Sequence, residues 1–125
     1  MEIKKTTVKK IPVFRDDRGD LFVCETGKEI PFDIKRMFFI SNVPTDAKRG
    51  EHAYKYDEFI VCCSGGCTVS IKTGDSVRSF RLSAQESILI PGGLWRVFSD
   101  FSADCVLAVA CNMPYSKDDY LTDGN

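Results

Sequence analysis

The sequence predicts an all-β protein built as a small barrel or sandwich. Short apolar or alternating runs recur along the 125 residues, turn-forming residues separate them at regular intervals, and almost no stretch has helical periodicity. Many short, evenly spaced strands in a chain of this length favour a closed barrel or two packed sheets. We therefore expect a single domain over residues 1–125 with one hydrophobic core.

The predicted strands are taken in chain order. They lie at 7–13, 21–24, 35–40, 59–64, 67–72, 77–82, 87–90, 94–99 and 105–110. The turn signals between them are DDRGD, NVPTDAKRG, SGG, KTGD, PGG and SDFSAD. In KTGDSV, Gly74 is free to take the positive φ that a tight hairpin turn requires. The C-terminal PYSKDDYLTDGN is compatible with a short helical turn, on which Asp118 and Asp119 would form a solvated face.

Composition excludes several classes of function. The net charge is -1 and the basic residues are scattered, so we expect neither a nucleic-acid partner nor a polybasic membrane patch. No apolar run approaches the roughly 20 residues that span a bilayer. The N-terminal MEIKKTTVKK lacks the apolar segment of a signal peptide, which predicts a cytoplasmic protein.

The six cysteines are interpreted as reduced, mostly buried thiols. They lie in apolar runs such as FIVCCSGG and CVLAVAC, where a free thiol behaves as a small hydrophobic side chain. The spacing of Cys63 and Cys67 is compatible with half of a zinc site, but no second pair of ligands accompanies it.

The only histidine, His52, begins a spaced pattern in two parts. In the first part His52 is followed by Tyr54, Glu58 and Gly65, and in the second part Pro91-Gly92-Gly93 is followed by Arg96. These intervals resemble the two-part signature of the cupins, in which the positions of Tyr54 and Arg96 are histidines. The resemblance implies a small cupin (jelly-roll type) β-barrel.

The same pattern speaks against a metal. A catalytic first-row metal usually takes three or more imidazole or carboxylate ligands from the protein. Here His52 and Glu58 remain, while Tyr54 and Arg96 occupy the other two positions. Because an arginine cannot deprotonate in a protein, it substitutes for a cation and does not bind one. We expect no metal and no other cofactor.

A closer resemblance extends over roughly residues 8 to 121. The segments DDRGDL, IPFDIKRMFFI, RGEHAYK, EFIVCCSGGCTV, ILIPGGLWRVFSDFSADCVLAVA and DDYL are similar to the nucleotide-sugar 3,4-ketoisomerases, the WxcM-like branch of the cupins. This resemblance implies conversion of dTDP-4-keto-6-deoxyglucose into the 3-keto isomer, on the way to amino sugars of surface polysaccharides. It also implies a metal-free homodimer with exchanged N-terminal strands. The strand in TTVKKIPVF, which would leave an unprotected edge on a monomer, points the same way.

The resemblance also implies roles for individual residues. His52 matches the catalytic base, and Tyr54 occupies the place of a second active-site histidine. Arg18 and Arg36 match arginines that lie near the substrate. Arg96 stands where many members have histidine and some have arginine.

Three further residues keep two interpretations each. Arg49 is either a substrate contact or a solvated loop charge, and Glu58 either takes part in the reaction or hydrogen-bonds behind it. Trp95 either fills the core or stacks on the thymine of the substrate.

The expected chemistry moves a ketone from C4 to C3 of the sugar through an enediol. One base takes the C3 proton and a proton returns at C4, a task suited to an imidazole, which ordinarily titrates near 6.5. The Tyr54 hydroxyl or Arg96 would stabilise the enediolate, and arginine suits the diphosphate because its planar fork matches phosphate oxygens.

Two other functions stay open from the sequence. The loss of the second histidine at Tyr54 is compatible with a cupin that binds or epimerises a nucleotide sugar without ketoisomerase turnover. A metal-dependent cupin dioxygenase would have to work with only His52 and Glu58 among the expected ligands.

Overall fold

A computed structural model describes residues 6–122 of the chain. These residues form twelve strands and one short 3₁₀ helix, Lys117–Asp119. The strands are β1 Val8–Lys10, β2 Val13–Asp16, β3 Gly19–Phe22, β4 Arg36–Ser41, β5 Arg49–Tyr54, β6 Glu58–Ser64, β7 Gly66–Thr73, β8 Ser76–Ser83, β9 Glu86–Ile90, β10 Trp95–Ser99, β11 Val106–Cys111 and β12 Tyr120–Thr122. The predicted all-β class is confirmed.

Two five-stranded antiparallel sheets form the body of the protein. The first has the order β1-β9-β6-β11-β4 and the second the order β12-β5-β10-β7-β8, while β2 and β3 form a separate hairpin. Strands β4 to β7 alternate between the two sheets, and so do β8 to β11. This repeated crossing is the connectivity of a jelly roll, which joins both sheets around one interior.

One hydrophobic core lies between the sheets. Ile60 and Leu107 of the first sheet and Ile71 and Leu82 of the second are all fully buried and belong to one cluster. Their neighbours along each strand point outward, as the two-residue period of a strand requires. The core is continuous from one sheet to the other, so the inward-pointing side chains of β6 and β10 lie close to each other.

The predicted N-terminal strand is divided in two. The chain forms β1 and β2 with Ile11 and Pro12 between them, because Pro12 has no N–H group to donate to a ladder. The turn predicted at DDRGD is shorter than expected, since Asp16 and Gly19 pair across the β2–β3 hairpin. The turn at Gly74, which has φ 57°, and the C-terminal helical turn are confirmed. The solvated face predicted there is wrong for Asp119, which is 4% exposed.

Strand β5, Arg49–Tyr54, is absent from the predicted strands. Its sequence RGEHAY contains a glycine and four ionisable side chains and has no apolar alternation. The strand forms because it pairs with β10 on one side and β12 on the other. Its existence therefore depends on neighbours that are distant in sequence.

All six cysteines are free thiols. Cys62, Cys67, Cys105 and Cys111 are buried, and burial raises the pKa of Cys62, Cys67 and Cys111 to about 12. These thiols therefore stay protonated and unreactive at neutral pH. Within residues 6–122 no helix is long and apolar enough to cross a membrane.

A candidate active site at one end of the barrel

One end of the barrel collects most of the residues that the sequence singles out. Strands β4, β6 and β10 begin at this end, and β5 and β11 finish there. His52 of β5 lies directly opposite Arg96 of β10. Arg36 and Glu58 both lie opposite Cys111, the last residue of β11. The antiparallel register thus brings together side chains from four separate stretches of sequence.

Arg96 and Glu58 form a buried ion pair between the two sheets. Nη1 of Arg96 donates to Oε1 of Glu58 at 2.7 Å, and the two side chains are 0% and 3% exposed. Nε and Nη2 of Arg96 also donate to the carbonyl of Leu94, and Nη2 donates to that of Pro91. Every guanidinium nitrogen thus has a protein acceptor, which a buried charge requires if the fold is to tolerate it.

The glycine turn before β10 positions this ion pair. Gly93 has φ 91°, a left-handed conformation that glycine adopts without steric cost, and its N–H donates to the Tyr54 carbonyl at 2.8 Å. Gly92 donates to Oδ1 of Asp57 at 2.7 Å. The turn is therefore fastened to the end of β5 and to the β5–β6 connection, and it aims Arg96 into the barrel.

Aromatic rings form a stack beside the ion pair. The rings of His52 and Tyr54 are 5.9 Å apart between centroids, and Tyr54 stacks on Tyr56 at 5.0 Å with an interplanar angle of 10°. The Arg96 guanidinium carbon lies 5.1 Å from the centroid of the Tyr54 ring. Tyr54 therefore separates the half-buried His52 from the fully buried cation.

A β-bulge sets the direction of His52. Gly50 and His52 pair with consecutive residues of β10, so Glu51 is the extra residue of β5. Glu51 has φ 60°, a left-handed conformation that costs a non-glycine residue free energy. Bulges next to active sites re-aim side chains, and here the re-aimed residue is the histidine.

The bulge gives a first testable prediction. Glu51→Gly is expected to raise the free energy of unfolding by roughly 0.5–1 kcal/mol, because glycine removes the Cβ contact of the left-handed conformation. Urea denaturation measures this change, and Glu51→Ala is the matched control because alanine keeps the Cβ. A glycine variant no more stable than the alanine variant would show that Glu51 is not strained.

Arg36 extends the aromatic stack toward the surface. Its guanidinium carbon lies 4.8 Å from the Phe38 ring centroid, 5.9 Å from that of Tyr56 and 5.1 Å from that of Tyr115. Burial raises the pKa of Tyr56, and the nearby Glu58 adds to this effect, so Tyr56 stays a neutral phenol. Arg36 is half-buried and brings a positive charge to the mouth of the barrel.

Arg18 and Arg49 lie outside the ion pair and the ring stack. Arg18 is at the tip of the β2–β3 hairpin, where its side chain is 85% exposed and pairs with Asp16. Hydrogen bonds from Arg18 lower the pKa of the Asp16 carboxyl. Arg49 is exposed at the start of β5, beside a groove of about 370 Å³ along the β4–β5 connection.

Trp95 does not fill the core, the first of its two interpretations, and its stacking on a thymine stays a prediction. It precedes Arg96 on β10, so the two side chains point to opposite faces of the second sheet. The Trp95 ring lies 5.6 Å from the Lys72 ammonium, and its buried Nε1 has no hydrogen-bond partner among residues 6–122. The residue is half-buried on the outer face of the barrel.

Two site residues escaped the sequence analysis. Tyr56 continues the two-residue period of His52 and Tyr54, and that period is the signal that would have found it. Tyr115 follows β11 in an irregular segment, and only its contact with Arg36 identifies it.

The donor atoms at this end do not form a metal site in the described part of the chain. The Glu58 carboxylate is engaged by Arg96. Between residues 6 and 122 there is no group of three or more His, Cys, Asp or Glu side chains that could hold a metal ion. The expected absence of a metal stays a prediction for direct metal analysis.

Comparison with known proteins places the chain in a family. The family model FdtA, described as WxcM-like, C-terminal, matches residues 4–125. A curated relative, the TDP-4-oxo-6-deoxy-alpha-D-glucose-3,4-oxoisomerase of Aneurinibacillus thermoaerophilus, is 36% identical over 123 residues, which cover 97% of this chain and 86% of the relative.

Solved structures resemble the whole chain. A mutant of the 3,4-ketoisomerase QdtA from Thermoanaerobacterium thermosaccharolyticum, in complex with TDP-4-keto-6-deoxyglucose, superposes with a TM-score of 0.89 at 29% identity, covering 96% of this chain and 88% of that one. The WlaRB TDP-quinovose 3,4-ketoisomerase from Campylobacter jejuni gives 0.88 at 29% identity, covering 95% and 93%. The predicted cupin-type barrel is confirmed.

Proposed function

The chain belongs to the WxcM-like family that the FdtA model describes, and we propose that it is a 3,4-ketoisomerase acting on dTDP-4-keto-6-deoxyglucose. The observation that carries this proposal is the 36% identity to a 3,4-oxoisomerase over 97% of the chain. The site adds a histidine at the mouth of a barrel, beside a buried cation and a half-buried arginine. The product is the 3-keto-6-deoxy isomer, a precursor of amino sugars in surface polysaccharides.

His52 is the base in this proposal. Its imidazole takes the proton from C3 of the sugar, and the electron pair of that C–H bond becomes the C3–C4 double bond of an enediolate with its charge on O4. The proton of the C3 hydroxyl is transferred to O4, and a proton returned at C4 leaves the ketone at C3. The His52 ring contacts the Tyr54 ring, and His52 directly follows the bulge at Glu51. The orientation of the imidazole is therefore restricted before the substrate binds. The Tyr54 hydroxyl is our candidate donor to the enediolate, because Tyr54 is the ring that contacts His52.

Arg96 and Glu58 act as positioning residues in this proposal. The sequence left Glu58 either as a participant in the reaction or as a hydrogen-bonding residue behind it, and it offered Arg96 as a stabiliser of the enediolate. Arg96, however, is 0% exposed and each of its nitrogens is bound to the protein. Their ion pair instead supports the Tyr54 ring from inside the barrel. Because the Glu58 carboxylate neutralises the guanidinium, the pair acts in this proposal through the position of Tyr54.

Arg36 is the proposed diphosphate contact. It is half-buried at the mouth of the barrel, and a guanidinium can bind two phosphate oxygens at once. Arg18 and Arg49 remain secondary candidates, because both are exposed. The groups that Arg18 contacts depend on what covers the β2–β3 hairpin, which carries this residue.

We propose that the protein is a homodimer in which N-terminal strands are exchanged. Phe14 and Leu21 face each other across the β2–β3 hairpin and are 63% and 62% exposed. On β4, the edge of the first sheet, Met37 and Phe39 are 50% and 68% exposed. Phe14 and Leu21 are neighbours on the hairpin, and Met37 and Phe39 are neighbours on the edge strand. Exposed apolar pairs of this kind are typical of a surface that another chain covers.

The dimer predicts a definite sedimentation result. The wild-type protein is expected to sediment as a dimer at micromolar concentration, and Phe39→Asp is expected to shift it toward the monomer by placing a charge in the interface. Val77→Asp is the matched control, because Val77 is 62% exposed on β8, the edge of the other sheet. A monomeric wild-type protein would refute the dimer.

Location and partners follow from composition. We propose a cytoplasmic enzyme, because six free thiols are typical of a reducing compartment. With a net charge of -1 and scattered basic residues, it has no nucleic-acid or membrane partner in this proposal.

The test is incubation with dTDP-4-keto-6-deoxyglucose in D₂O, with and without EDTA, followed by NMR. We expect the 3-keto isomer, deuterium in the sugar ring, and the same rate with the chelator. Binding without product would favour the cupin that has lost turnover, and an epimerised 4-keto sugar would favour the epimerase. Loss of activity with EDTA would favour a metal enzyme.

A further inference from the structure

The two arginines at the mouth of the barrel differ in how their charges are balanced. Arg96 is fully buried, and the Glu58 carboxylate neutralises it at 2.7 Å. Arg36 is half-buried, and within residues 6–122 no Asp or Glu side chain forms an ion pair with it. The positive charge of Arg36 is therefore available to an anionic ligand at the mouth.

The Arg36 guanidinium contacts aromatic rings instead of a carboxylate. The centroids of the Phe38, Tyr115 and Tyr56 rings lie 4.8, 5.1 and 5.9 Å from its central carbon. The face of an aromatic ring attracts a cation through the quadrupole of its π-system, although the ring carries no net charge. Rings can therefore hold the guanidinium in place without neutralising it.

Phe38 is the nearest of these rings and lies on the same strand as Arg36. Residues Arg36, Phe38 and Ile40 alternate along β4, so their side chains point to the same face of the first sheet. Ile40 is 8% exposed, and Phe38 packs against the core cluster that contains it. Phe38 also lies opposite Val109 of β11, which is buried in the same cluster. The core thus fixes the ring on which the guanidinium of Arg36 lies.

We propose that Phe38 is the positioning residue of Arg36, and that its ring holds the guanidinium at the mouth of the barrel for the diphosphate of the substrate. The proposal rests on the proposed function, because that function assigns the diphosphate to Arg36. Immobilising a flexible side chain costs free energy when a ligand binds. A ring that restricts the guanidinium beforehand lowers this cost, so Phe38 acts through Arg36 and touches neither the diphosphate nor the reacting carbons.

The expected effect of removing the ring is on binding and not on turnover. Phe38→Leu keeps an apolar side chain against the core and removes the aromatic face. It should weaken dTDP binding about fivefold in titration calorimetry, the size of one partly exposed cation–π contact. KM should rise by a similar factor, while kcat changes by less than about twofold. Phe38→Tyr keeps the ring and should bind as the wild type does, and Phe38→Met is a second ringless variant if the leucine variant does not fold.

The second sheet offers a matched control. Arg78 and Phe80 repeat the same spacing on β8, and the guanidinium carbon of Arg78 lies 5.0 Å from the centroid of the Phe80 ring. Phe80 is half-buried and packs against the same core cluster as Phe38. Phe80→Leu should therefore lower the melting temperature about as much as Phe38→Leu does, but it should leave the dTDP affinity and KM unchanged.

A double-mutant cycle tests whether Phe38 acts through Arg36. Arg36→Ala should weaken dTDP binding more than Phe38→Leu does, and adding Phe38→Leu to Arg36→Ala should cause no further loss. An equal fivefold loss in both backgrounds would mean that Phe38 supports the site independently of Arg36, which overturns the proposal. Unchanged dTDP affinity in Phe38→Leu, or an equal loss in Phe80→Leu, overturns it as well.

Two other outcomes separate this inference from the proposed function. A wild-type protein that converts dTDP-4-keto-6-deoxyglucose, with an Arg36→Ala variant that binds dTDP normally, overturns the role of Arg36 and this inference but leaves the ketoisomerase activity intact. A wild-type protein that neither binds dTDP nor forms product overturns the proposed function together with this inference.

Discussion

Replacing His52 by asparagine is expected to lower kcat by about 10²–10⁴-fold, the contribution usually made by a positioned general base. The asparagine side chain is polar and extends as far as the proximal part of the imidazole ring, but its amide cannot accept the C3 proton. The fold should persist, because His52 is half-buried and lies outside the main hydrophobic core. Binding of dTDP should also persist, since Arg36 and not His52 is the proposed diphosphate contact.

Exchange of the sugar C3 proton with D₂O measures this first proton transfer directly. The exchange rate is expected to fall together with kcat in His52→Asn, while the dTDP affinity stays within about twofold of the wild-type value. Tyr54→Phe is the matched comparison, because it keeps the ring that contacts His52 and removes only the hydroxyl. We expect it to be milder than His52→Asn. A His52→Asn protein with normal C3 exchange would show that another group is the base.

Breaking the ion pair between Glu58 and Arg96 is expected to produce the largest loss of stability. Glu58→Ala should lower the free energy of unfolding by about 3–5 kcal/mol, because it leaves the guanidinium of Arg96 charged and only partly compensated in the core. The side chains are 0% and 3% exposed, so solvent cannot replace the missing carboxylate. Urea denaturation at neutral pH, together with the melting temperature, measures this loss.

A double variant separates the charge effect from simple loss of volume. Glu58→Leu combined with Arg96→Met removes both charges and keeps apolar side chains in their place, and buried pairs replaced in this way often lose little stability. We expect the double variant to be more stable than either single variant. It should still have reduced turnover, since Tyr54 would lose the cation beneath its ring. A Glu58→Ala protein within about 1 kcal/mol of the wild type would contradict the role given to this pair.

Much of the barrel could be predicted from local sequence. Strands such as β6, β7 and β11 have apolar or alternating residues between clear turn signals, so their own side chains specify them. The resemblance of the spaced residues also identified His52, Tyr54, Glu58 and Arg96 as one group. The register between β5 and β10 then brought His52 opposite Arg96, as a cupin barrel requires.

Other features have no local signal. Strand β5 carries the histidine, yet its hydrogen bonds come from β10 and β12, which are far away in sequence. The bulge at Glu51 arises from the same pairing, because it exists only where two residues of one strand meet one of the other. Neither propensity nor apolar period could have located them.

By itself, the sequence determined the all-β class and most of the strands. It also indicated that the cysteines are free thiols in apolar strands and that the lone histidine is the candidate base. Only the tertiary structure decided what the charged side chains do. Arg96 and Glu58 are 38 residues apart in the chain and lie in different sheets, yet they neutralise each other at 2.7 Å. Arg36 and Tyr115 meet in the same way. Burial and partner distance decide whether an arginine is free for a ligand, and both depend on the packing of the sheets.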